Sequence, residues 1–261
     1  MKNVLSIAGS DCSGGAGIQA DLKTFLANGV FGMSVIVSVV AENTFRVLDI
    51  QNVTQDMIKN QIDAVFEDIP VDAVKVGMLS SIGCMNAVAE KLKQYSPVHV
   101  VVDPVMYAKN GCALMEEDAI GTLIEVVIPL ATLITPNIPE AEKITGMKIN
   151  SIDDMKKAAK LVLNFGCKAV LLKGGHLDGD AVDILYDGES FNEFKAKRID
   201  TKNTHGTGCT YSSAIASNLA LGFNLVKSIS NSKEYITEAI ENSLNIGKGH
   251  GPVNHFYKFF K

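Results

Sequence analysis

The sequence lacks the features that would direct a protein to a membrane, to a nucleic acid or out of the cytoplasm. No apolar run reaches the ~18 residues that a membrane-spanning helix needs. The amino-terminal residues have neither the long apolar stretch nor the cleavage site of a secretory leader. The 24 basic and 29 acidic residues give a net charge of -5, with no basic block to bind a nucleic acid or an anionic membrane. We therefore expect a cytoplasmic protein that binds small molecules.

Cysteine is scarce and irregularly spaced, with five residues in a chain of 261. An odd number at wide spacing does not form a disulfide framework, so we expect free thiols in a reducing compartment. The five histidines form no HxxxH pair and no cluster with cysteine, which argues against a zinc site. The chain has no internal repeat, and its length and 47% hydrophobic content fit a single domain over residues 1–261.

Short β-rich runs alternate with helical repeats, which predicts an α/β fold with a mostly parallel sheet covered by helices on both faces. The predicted strands cover residues 4–8, 33–41, 73–76, 98–102, 132–135 and 169–173. An antiparallel hairpin over 181–187 and 190–197 is expected to complete one edge of the sheet. Two later helices are expected over residues 208–221 and about 230–246.

In open parallel sheets, ligands bind beyond the carboxyl ends of the strands, so the residues that follow each strand are site candidates. The first candidate is a glycine-rich turn over residues 9–17. Its Gly-Ala-Gly run at 15–17, followed by Ala20, also matches a dinucleotide-binding fingerprint, and Glu42 lies where a ribose-binding acid is expected. A NAD-dependent oxidoreductase is therefore one interpretation. A loop whose glycines serve only tight packing is another.

Three further strand ends carry charged or polar side chains. Asp103 follows the fourth predicted strand, and Asn137 and Glu140 follow the fifth. Their oxygen atoms suit a hydrated magnesium ion, but Asn137, Pro139 and Glu140 also fit ordinary helix capping. Lys173 ends the sixth strand and is placed either to reach a polyphosphate as a point charge or to be solvated.

The most specific candidate is the helix start at residues 204–210, with the sequence THGTGCT. Consecutive amides at Gly206 and Gly208 predict an anion hole for a phosphoryl group. The same field is expected to lower the pKa of the Cys209 thiol, which makes Cys209 a candidate proton acceptor. A buried structural cysteine is the alternative. His205 is either a nucleotide contact or an ordinary loop residue.

Six segments carry these candidates in order: IAGSDCSGGAGIQADLKTF, KVGM, VVDPVM, ITPNIPEAEKITG, LLKGGH and TKNTHGTGCTYSSAIA. Together they resemble the hydroxymethylpyrimidine/phosphomethylpyrimidine kinases of thiamine biosynthesis, in the ribokinase-like superfamily, over nearly the whole chain. The resemblance implies a three-layer α/β/α fold, ATP as phosphoryl donor, Mg²⁺ as cofactor and a homodimer. The acceptor it implies is 4-amino-5-hydroxymethyl-2-methylpyrimidine, phosphorylated first to the monophosphate and then to the diphosphate.

The resemblance also implies roles for individual residues. Around the pyrimidine it places Gly9, Asp11, Glu42, Met78 and Val105. On the ATP side it places Asp103, Asn137 and Lys173, with Glu140 toward the metal. Gly206, Thr207 and Gly208 match the anion hole, and Cys209 matches the catalytic cysteine.

One position departs from the pattern of the pyrimidine kinases, which usually carry Gln where this chain has Glu42. Gln both donates to a ring nitrogen and accepts from the exocyclic amine, whereas ionised Glu only accepts. A pyridoxal or pyridoxine kinase of the same superfamily is therefore an alternative, and the NAD-dependent oxidoreductase is a more distant one.

Overall fold

A computed structural model describes residues 1–108, 111–175 and 179–259, and His176 of the LLKGGH segment lies outside them. The described residues form one nine-stranded sheet. Its strands in chain order are β1 Asn3–Asp11, β2 Phe31–Asn43, β3 Arg46–Asn52, β4 Ala73–Val76, β5 Val100–Val102, β6 Leu133–Ile134, β7 Val170–Leu172, β8 Ala181–Tyr186 and β9 Phe191–Ala196.

The strands are ordered β3-β2-β1-β4-β5-β6-β7-β8-β9 across the sheet. Six neighbouring strands, β2, β1, β4, β5, β6 and β7, run parallel to one another. At one edge β3 pairs antiparallel with β2, and at the other β8 pairs antiparallel with both β7 and β9. The predicted mostly parallel sheet with an antiparallel edge hairpin is thus confirmed. Its opposite edge is antiparallel as well.

Helices cover both faces of the sheet, which makes the three layers that the sequence predicted. They are α1 Gly17–Ala27, α2 Gln55–Phe66, α3 Ile82–Tyr95, α4 Ala119–Thr122, α5 Ile138–Thr145, α6 Ile152–Leu163, α7 Thr207–Ala220 and α8 Leu225–Glu241. A π-helical turn at Leu123–Val127 and a 3₁₀ turn at Ile128–Leu130 continue α4. Across the described ranges, none of the helices is long and apolar enough to cross a membrane.

The central strands are buried because apolar side chains point to both faces. In β4, Val74 and Val76 pack with α2 and α3, while Ala73 joins the core formed by α1, α7 and α8. Lys75 alternates with these valines and therefore points toward the α1 and α7 side, although it is fully buried. This buried lysine lies beneath the site described below.

Two elements differ from the sequence prediction. The prediction missed β3 because its side chains are largely exposed and show no clear apolar alternation. The final helix, α8, starts and stops earlier than expected. It begins at Leu225 because the Asn224 side chain accepts a hydrogen bond from the Lys227 amide. It ends at Glu241, and the tail folds back so that the His250 amide donates to the Thr44 carbonyl.

Candidate active site

The carboxyl ends of the parallel strands bring most of the predicted site residues to one edge of the sheet. Each residue lies at the end of a parallel strand or in the segment that follows it. The set comprises Gly9, Asp11, Glu42, Met78, Asp103, Val105, Asn137, Glu140 and Lys173. Helix α7 starts against the same edge, with its Gly208 beside Asp103 and Lys173. The topology thus assembles one site from segments distant in sequence.

The start of α7 is open toward this edge. Gly206 is the N-cap and has a φ of 77°, a left-handed conformation that favours glycine. A side chain there would collide with the carbonyl of Gly15, so the two glycine-rich turns interlock. Among the described residues, no side chain caps α7, and its first turn holds no acidic residue. Because first-turn amides lack partners within their helix, those of Gly208 and Cys209 are available to an external anion.

Lys173 and Asp103 form an ion pair directly beside this helix start. The Lys173 Nζ lies 2.8 Å from Asp103 Oδ1, which also accepts from Thr135 Oγ1. A side chain at Gly208 would lie only 3.2 Å from Asp103 and 3.3 Å from Lys173. Burial opposes both charges, but Asp103 keeps the pKa of Lys173 raised and Lys173 keeps that of Asp103 lowered. The Lys173 side chain is 15% exposed, so the interpretation as a solvated lysine is wrong.

Asn137 and Glu140 form the capping box that was one of their two interpretations. The Asn137 Oδ1 accepts from the Glu140 amide at 2.9 Å, and Glu140 Oε2 accepts from the Asn137 amide at 2.8 Å. Burial raises the pKa of Glu140 to about 7, with Lys173 opposing this and Asp103 adding to it. The Glu140 carboxyl group therefore both begins α5 and faces the Lys173–Asp103 pair.

Asp11 organises the first glycine-rich turn. Its carboxylate accepts backbone hydrogen bonds from Ser13 at 2.7 Å, Gly15 at 2.9 Å and Ala16 at 2.7 Å, and it pairs with His205 Nε2 at 2.8 Å. Burial opposes the charge of Asp11, but hydrogen bonds from His205 and Ser13 outweigh burial and lower the pKa far below its usual range. The role of His205 that the sequence left open is thus a contact to Asp11, which joins the two turns.

Glu42 lies at the end of β2 beside this pair. The ligand atoms of Asp11, Glu42 and His205 all lie within 4.8 Å of one another, a spacing that a metal ion would also fit. Both Asp11 oxygens already accept hydrogen bonds from the chain, which favours a protein-organised cluster over a metal site. Burial and the charge of Asp11 raise the pKa of Glu42 to about 7, with His205 opposing them. Below that pH the Glu42 carboxyl group is neutral and can donate a hydrogen bond.

The remaining predicted acceptor-side residues also lie at this edge. A side chain at Gly9 would lie 3.1 Å from the sulfur of Met78, so β1 and the segment after β4 are in contact. Val105 is half-buried, and its amide donates to the Asp103 carbonyl at 2.8 Å. Gly9 and Met78 therefore meet on the strand that ends at Asp11, whereas Val105 lies in the segment that follows Asp103.

Cys209 is the third residue of α7 and is half-buried. The prediction that the helix start lowers its pKa is wrong, because burial raises the pKa of the thiol to about 11. The Lys75 ammonium and a hydrogen bond from the Gly17 amide oppose this effect without cancelling it. At neutral pH the thiol is therefore protonated in the free protein.

Two charged residues of the site region were missed by sequence reasoning. Lys75 and Asp21 are fully buried and form an ion pair beneath Cys209, with 2.9 Å between Nζ and Oδ2. The signal in the sequence was a single lysine in the otherwise apolar AVKV strand, because a charge buried there requires a counter-charge elsewhere.

The site has the features of a phosphotransferase of the ribokinase-like class. These are an uncapped glycine-rich helix start, a thiol within its first turn and a lysine–carboxylate pair beside it. Comparison with known proteins narrows this class. Residues 11–254 match the family described as phosphomethylpyrimidine kinase, and the chain belongs to that family.

Individual relatives agree with this assignment. The chain is 47% identical over 258 residues to the hydroxymethylpyrimidine/phosphomethylpyrimidine kinase of Bacillus subtilis, covering 98% of this chain and 95% of that protein. It is 52% identical over 254 residues to the thiamine biosynthesis bifunctional protein ThiED of Geobacter sulfurreducens, covering 97% of this chain but only 52% of that longer protein. The crystal structure of an ADP complex of Bacillus subtilis pyridoxal kinase is also similar, with a TM-score of 0.93, 39% identity and full coverage of both chains.

Proposed function

We propose that the protein is an ATP-dependent kinase that phosphorylates 4-amino-5-hydroxymethyl-2-methylpyrimidine and then its monophosphate, yielding the diphosphate used in thiamine biosynthesis. The observation that carries the proposal is the uncapped start of α7 beside the Lys173–Asp103 pair. The family membership and the relatives named for these two reactions support it.

The donor side of the site is the region around α7, Lys173 and Glu140. The amides of the α7 start receive the transferred phosphoryl group, and Lys173 neutralises charge on the leaving ADP. Asp103 and Glu140, with Asn137, would supply the oxygen ligands that Mg²⁺ prefers, in part through water. The buried Glu140 and Asp103 carboxyl groups lie together beside Lys173, and a cation there would favour the charged form of Glu140, whose pKa burial raises to about 7. When bound, Mg²⁺ supplies charge neutralisation to the phosphates.

The acceptor side is the region around Glu42, Asp11, Gly9, Met78 and Val105. A neutral Glu42 carboxyl group donates through its O–H and accepts through its carbonyl oxygen, which is the pattern that Gln offers at this position. The aminopyrimidine presents the matching pair, a ring nitrogen and an exocyclic amine. The departure from Gln is therefore compatible with a pyrimidine acceptor. The similarity to pyridoxal kinase keeps pyridoxal as the second candidate acceptor.

Cys209 is the proposed proton acceptor. As the acceptor hydroxyl bonds to the phosphorus, its O–H bond breaks, the proton passes to the Cys209 sulfur and the bond from phosphorus to ADP breaks. Because phosphoryl transfer proceeds through a loose transition state, the proton leaves late and a minor thiolate population can serve. The Lys75 ammonium and the Gly17 amide oppose the effect of burial on this thiol.

The acceptor is tested by measuring kcat/KM for the hydroxymethylpyrimidine and for pyridoxal under the same conditions, with ADP release as readout. We expect the pyrimidine to be preferred by at least ~10-fold, about the value of one well-placed hydrogen-bond pair. A preference for pyridoxal would replace the acceptor but keep the kinase. Absence of ADP release with either alcohol would refute the proposed function.

The role of Cys209 is tested by comparing the two steps in Cys209→Ala. The first acceptor is a neutral alcohol that must lose a proton, whereas the second is a phosphate monoester already ionised near neutral pH. We expect the first step to slow by ~10²-fold or more, the usual contribution of a general base, and the second to slow much less. Cys209→Ser serves as the control for side-chain size. Equal losses in both single-turnover rates would remove Cys209 from the role of base.

The assembly and location of the protein remain proposals as well. We propose a homodimer, supported by exposed apolar side chains on the β2–β3 edge, where Phe31, Val39 and Leu48 are 50%, 52% and 59% exposed. Sedimentation of the wild type and of Leu48→Glu tests this, since a dimer that buries this edge should dissociate in the variant. A reducing cytoplasm is the proposed location because Cys209 works as a thiol.

A further inference from the structure

The site rests on a buried ion pair that the proposed reaction does not use directly. Lys75 in β4 and Asp21 in α1 are both fully buried, and the Lys75 Nζ lies 2.9 Å from each oxygen of the Asp21 carboxylate. The same carboxylate accepts from Ser6 Oγ at 2.5 Å and from Ser213 Oγ at 2.7 Å. Donors from β1, β4 and α7 thus hold Asp21 in one position.

Stability alone does not account for such a pair. Burying two charges carries a large desolvation cost for each ion, and the attraction between them often does no more than offset it. In other proteins, replacing a buried ion pair by apolar residues of similar volume is often neutral or stabilising. The location of the pair therefore needs another explanation.

The pair lies one helical turn behind the Cys209 sulfur. Ser213 follows Cys209 by four residues on α7, so both lie on one side of that helix. Asp21 follows Gly17 by four residues on α1, and the Gly17 amide donates a hydrogen bond to the Cys209 sulfur. The starts of α1 and α7 thus meet at the Cys209 thiol. One helical turn later, the Asp21–Ser213 hydrogen bond joins the same two helices, and Lys75 pairs with Asp21 there.

We propose that Lys75 is a positioning residue that keeps the thiolate form of Cys209 accessible inside the buried site, and that Asp21 holds the Lys75 ammonium in place for this purpose. The charged groups around Cys209 are Lys75 from β4, Asp21 from α1, Asp103 after β5 and Lys173 after β7. Burial raises the pKa of Cys209, and among these groups Lys75 lowers that pKa the most, whereas Asp21 and Asp103 raise it.

The consequence for the reaction concerns one proton. When the acceptor O–H bond breaks, a new S–H bond forms at Cys209, and this requires the thiolate that Lys75 stabilises. This step rests on the proposed kinase function. The charge effect on the thiol does not, because it exists without any substrate, so the two can fail separately.

The test is the rate at which iodoacetamide alkylates Cys209 in the intact, ligand-free protein, followed by mass spectrometry of the Cys209 peptide. At a fixed pH below the pKa of the thiol, this rate follows the thiolate fraction. In Lys75→Met we expect alkylation to slow by ~10-fold or more, the change produced by about one pKa unit. In Lys75→Met/Asp21→Asn, which leaves no unpaired buried charge, we expect a smaller slowing because Asp21 no longer opposes the thiolate.

Lys91→Met is the matched control, since Lys91 pairs with Asp63 at 2.7 Å on the opposite face of the sheet. We expect this control to alkylate Cys209 at the wild-type rate. Buried Cys84 reports any general opening of the fold and should stay protected in all variants. If Lys75→Met does not fold, the double variant decides. A wild-type rate in the folded double variant, or the same slowing in the Lys91 control, would overturn the proposal.

Discussion

The protein contains two glycine-rich turns that start helices at the same edge of the sheet. They differ in whether a side chain of the protein binds their backbone amides. In the turn before α1, the amides of Ser13, Gly15 and Ala16 are taken up by the carboxylate of Asp11. In the turn before α7, no described side chain caps the helix, and the carboxylate beside it, that of Asp103, is paired with Lys173. A glycine-rich helix start is therefore a site for a foreign anion only where the chain does not provide its own anion.

This difference also explains why the dinucleotide fingerprint at residues 15–17 was misleading. The glycines permit close backbone approach, but the amides that would hold a pyrophosphate already bind Asp11. A side chain at Gly17 would collide with the carbonyl of Gly9, so that glycine serves packing within the chain. The interpretation as an oxidoreductase is wrong, since the chain belongs to a kinase family.

The largest effect is expected from Gly206→Ala, in the turn before α7, which we call the open turn because no described side chain caps it. The new methyl group would collide with the Gly15 carbonyl at a φ of 77°, which displaces the amides that we propose receive the phosphoryl group. We expect kcat to fall roughly 10²–10³-fold, the range observed when a single donor is lost from such a hole. Steady-state kinetics with either acceptor measures the effect.

The control for this variant is Gly222→Ala, at the other end of α7. Gly222 has a φ of 92° but open space around it, so the variant carries backbone strain of about 1–2 kcal/mol without a collision. Its kcat should match the wild type although its unfolding midpoint falls. Similar kcat losses in both variants would show that strain, and not the geometry of the open turn, controls activity.

A smaller effect is expected from Asp11→Asn, in the turn before α1, which we call the closed turn because the Asp11 carboxylate binds its amides. The variant removes the charge of that carboxylate. Loss of the charged hydrogen-bond acceptor should destabilise the protein by about 1.5–3 kcal/mol. Added sulfate should restore part of this, because the freed amides become an anion site like that of α7. The folded-state pKa of Asp11 is lowered, so its contribution is complete above the ordinary pKa of 3.8 and is lost as the pH falls further. Thermal unfolding at neutral pH with and without sulfate checks the first statement, and unfolding at a series of pH values below 3.8 checks the second.

Asp187→Asn provides the matched control for Asp11→Asn. The Asp187 carboxylate accepts from the Glu189 and Ser190 amides in the exposed β8–β9 turn, so solvent can replace its interactions. We expect a loss below about 1 kcal/mol and no response to sulfate. If Asp11→Asn behaves like this control, the carboxylate does not fill the first turn in the way described.

The smallest effect is a pH dependence of substrate binding, which we expect from Glu42 beside the closed turn. Burial, and next the charge of Asp11, raise the pKa of Glu42 to about 7, so Glu42 is neutral below that pH and ionised above it. We expect the KM for the pyrimidine to rise above pH 7, by up to ~10-fold per pH unit, as the donor is lost. Glu42→Gln should remove this dependence. An equal rise in the Gln variant would assign it to the substrate or to another group.

Much of the fold could be predicted from the sequence because the signals were local. The buried parallel strands were recognised by residues that are apolar on both faces, as in β4, and the edge hairpin by its Asp187-Gly188 turn. The segment β3 was missed because an exposed edge strand carries little apolar periodicity. The candidate site residues were found because strand ends are set by topology.

The electrostatics of the site could not be predicted in the same way. Burial raises the pKa of Cys209 whereas Lys75 and the Gly17 amide lower it, and a sequence does not show how deep the residue lies. Lys75 and Asp21 are 54 residues apart, and neither has a local pattern that identifies its partner. From the sequence alone Glu42 is expected to be ionised. Its burial and its proximity to the charge of Asp11, which raise its pKa, follow only from the fold.

The contact between the two turns has a consequence for how the protein is made. The bond between His205 and Asp11 joins residues 194 positions apart, and Gly206 packs on Gly15 at the same junction. Contacts of such long separation form late, because a large loop must close first. On the ribosome, a nascent chain that has already paired β1 with β2 and β4 still lacks α7. Catalytic competence therefore marks the completion of folding, and a truncated chain ending before residue 205 would be an inactive sheet.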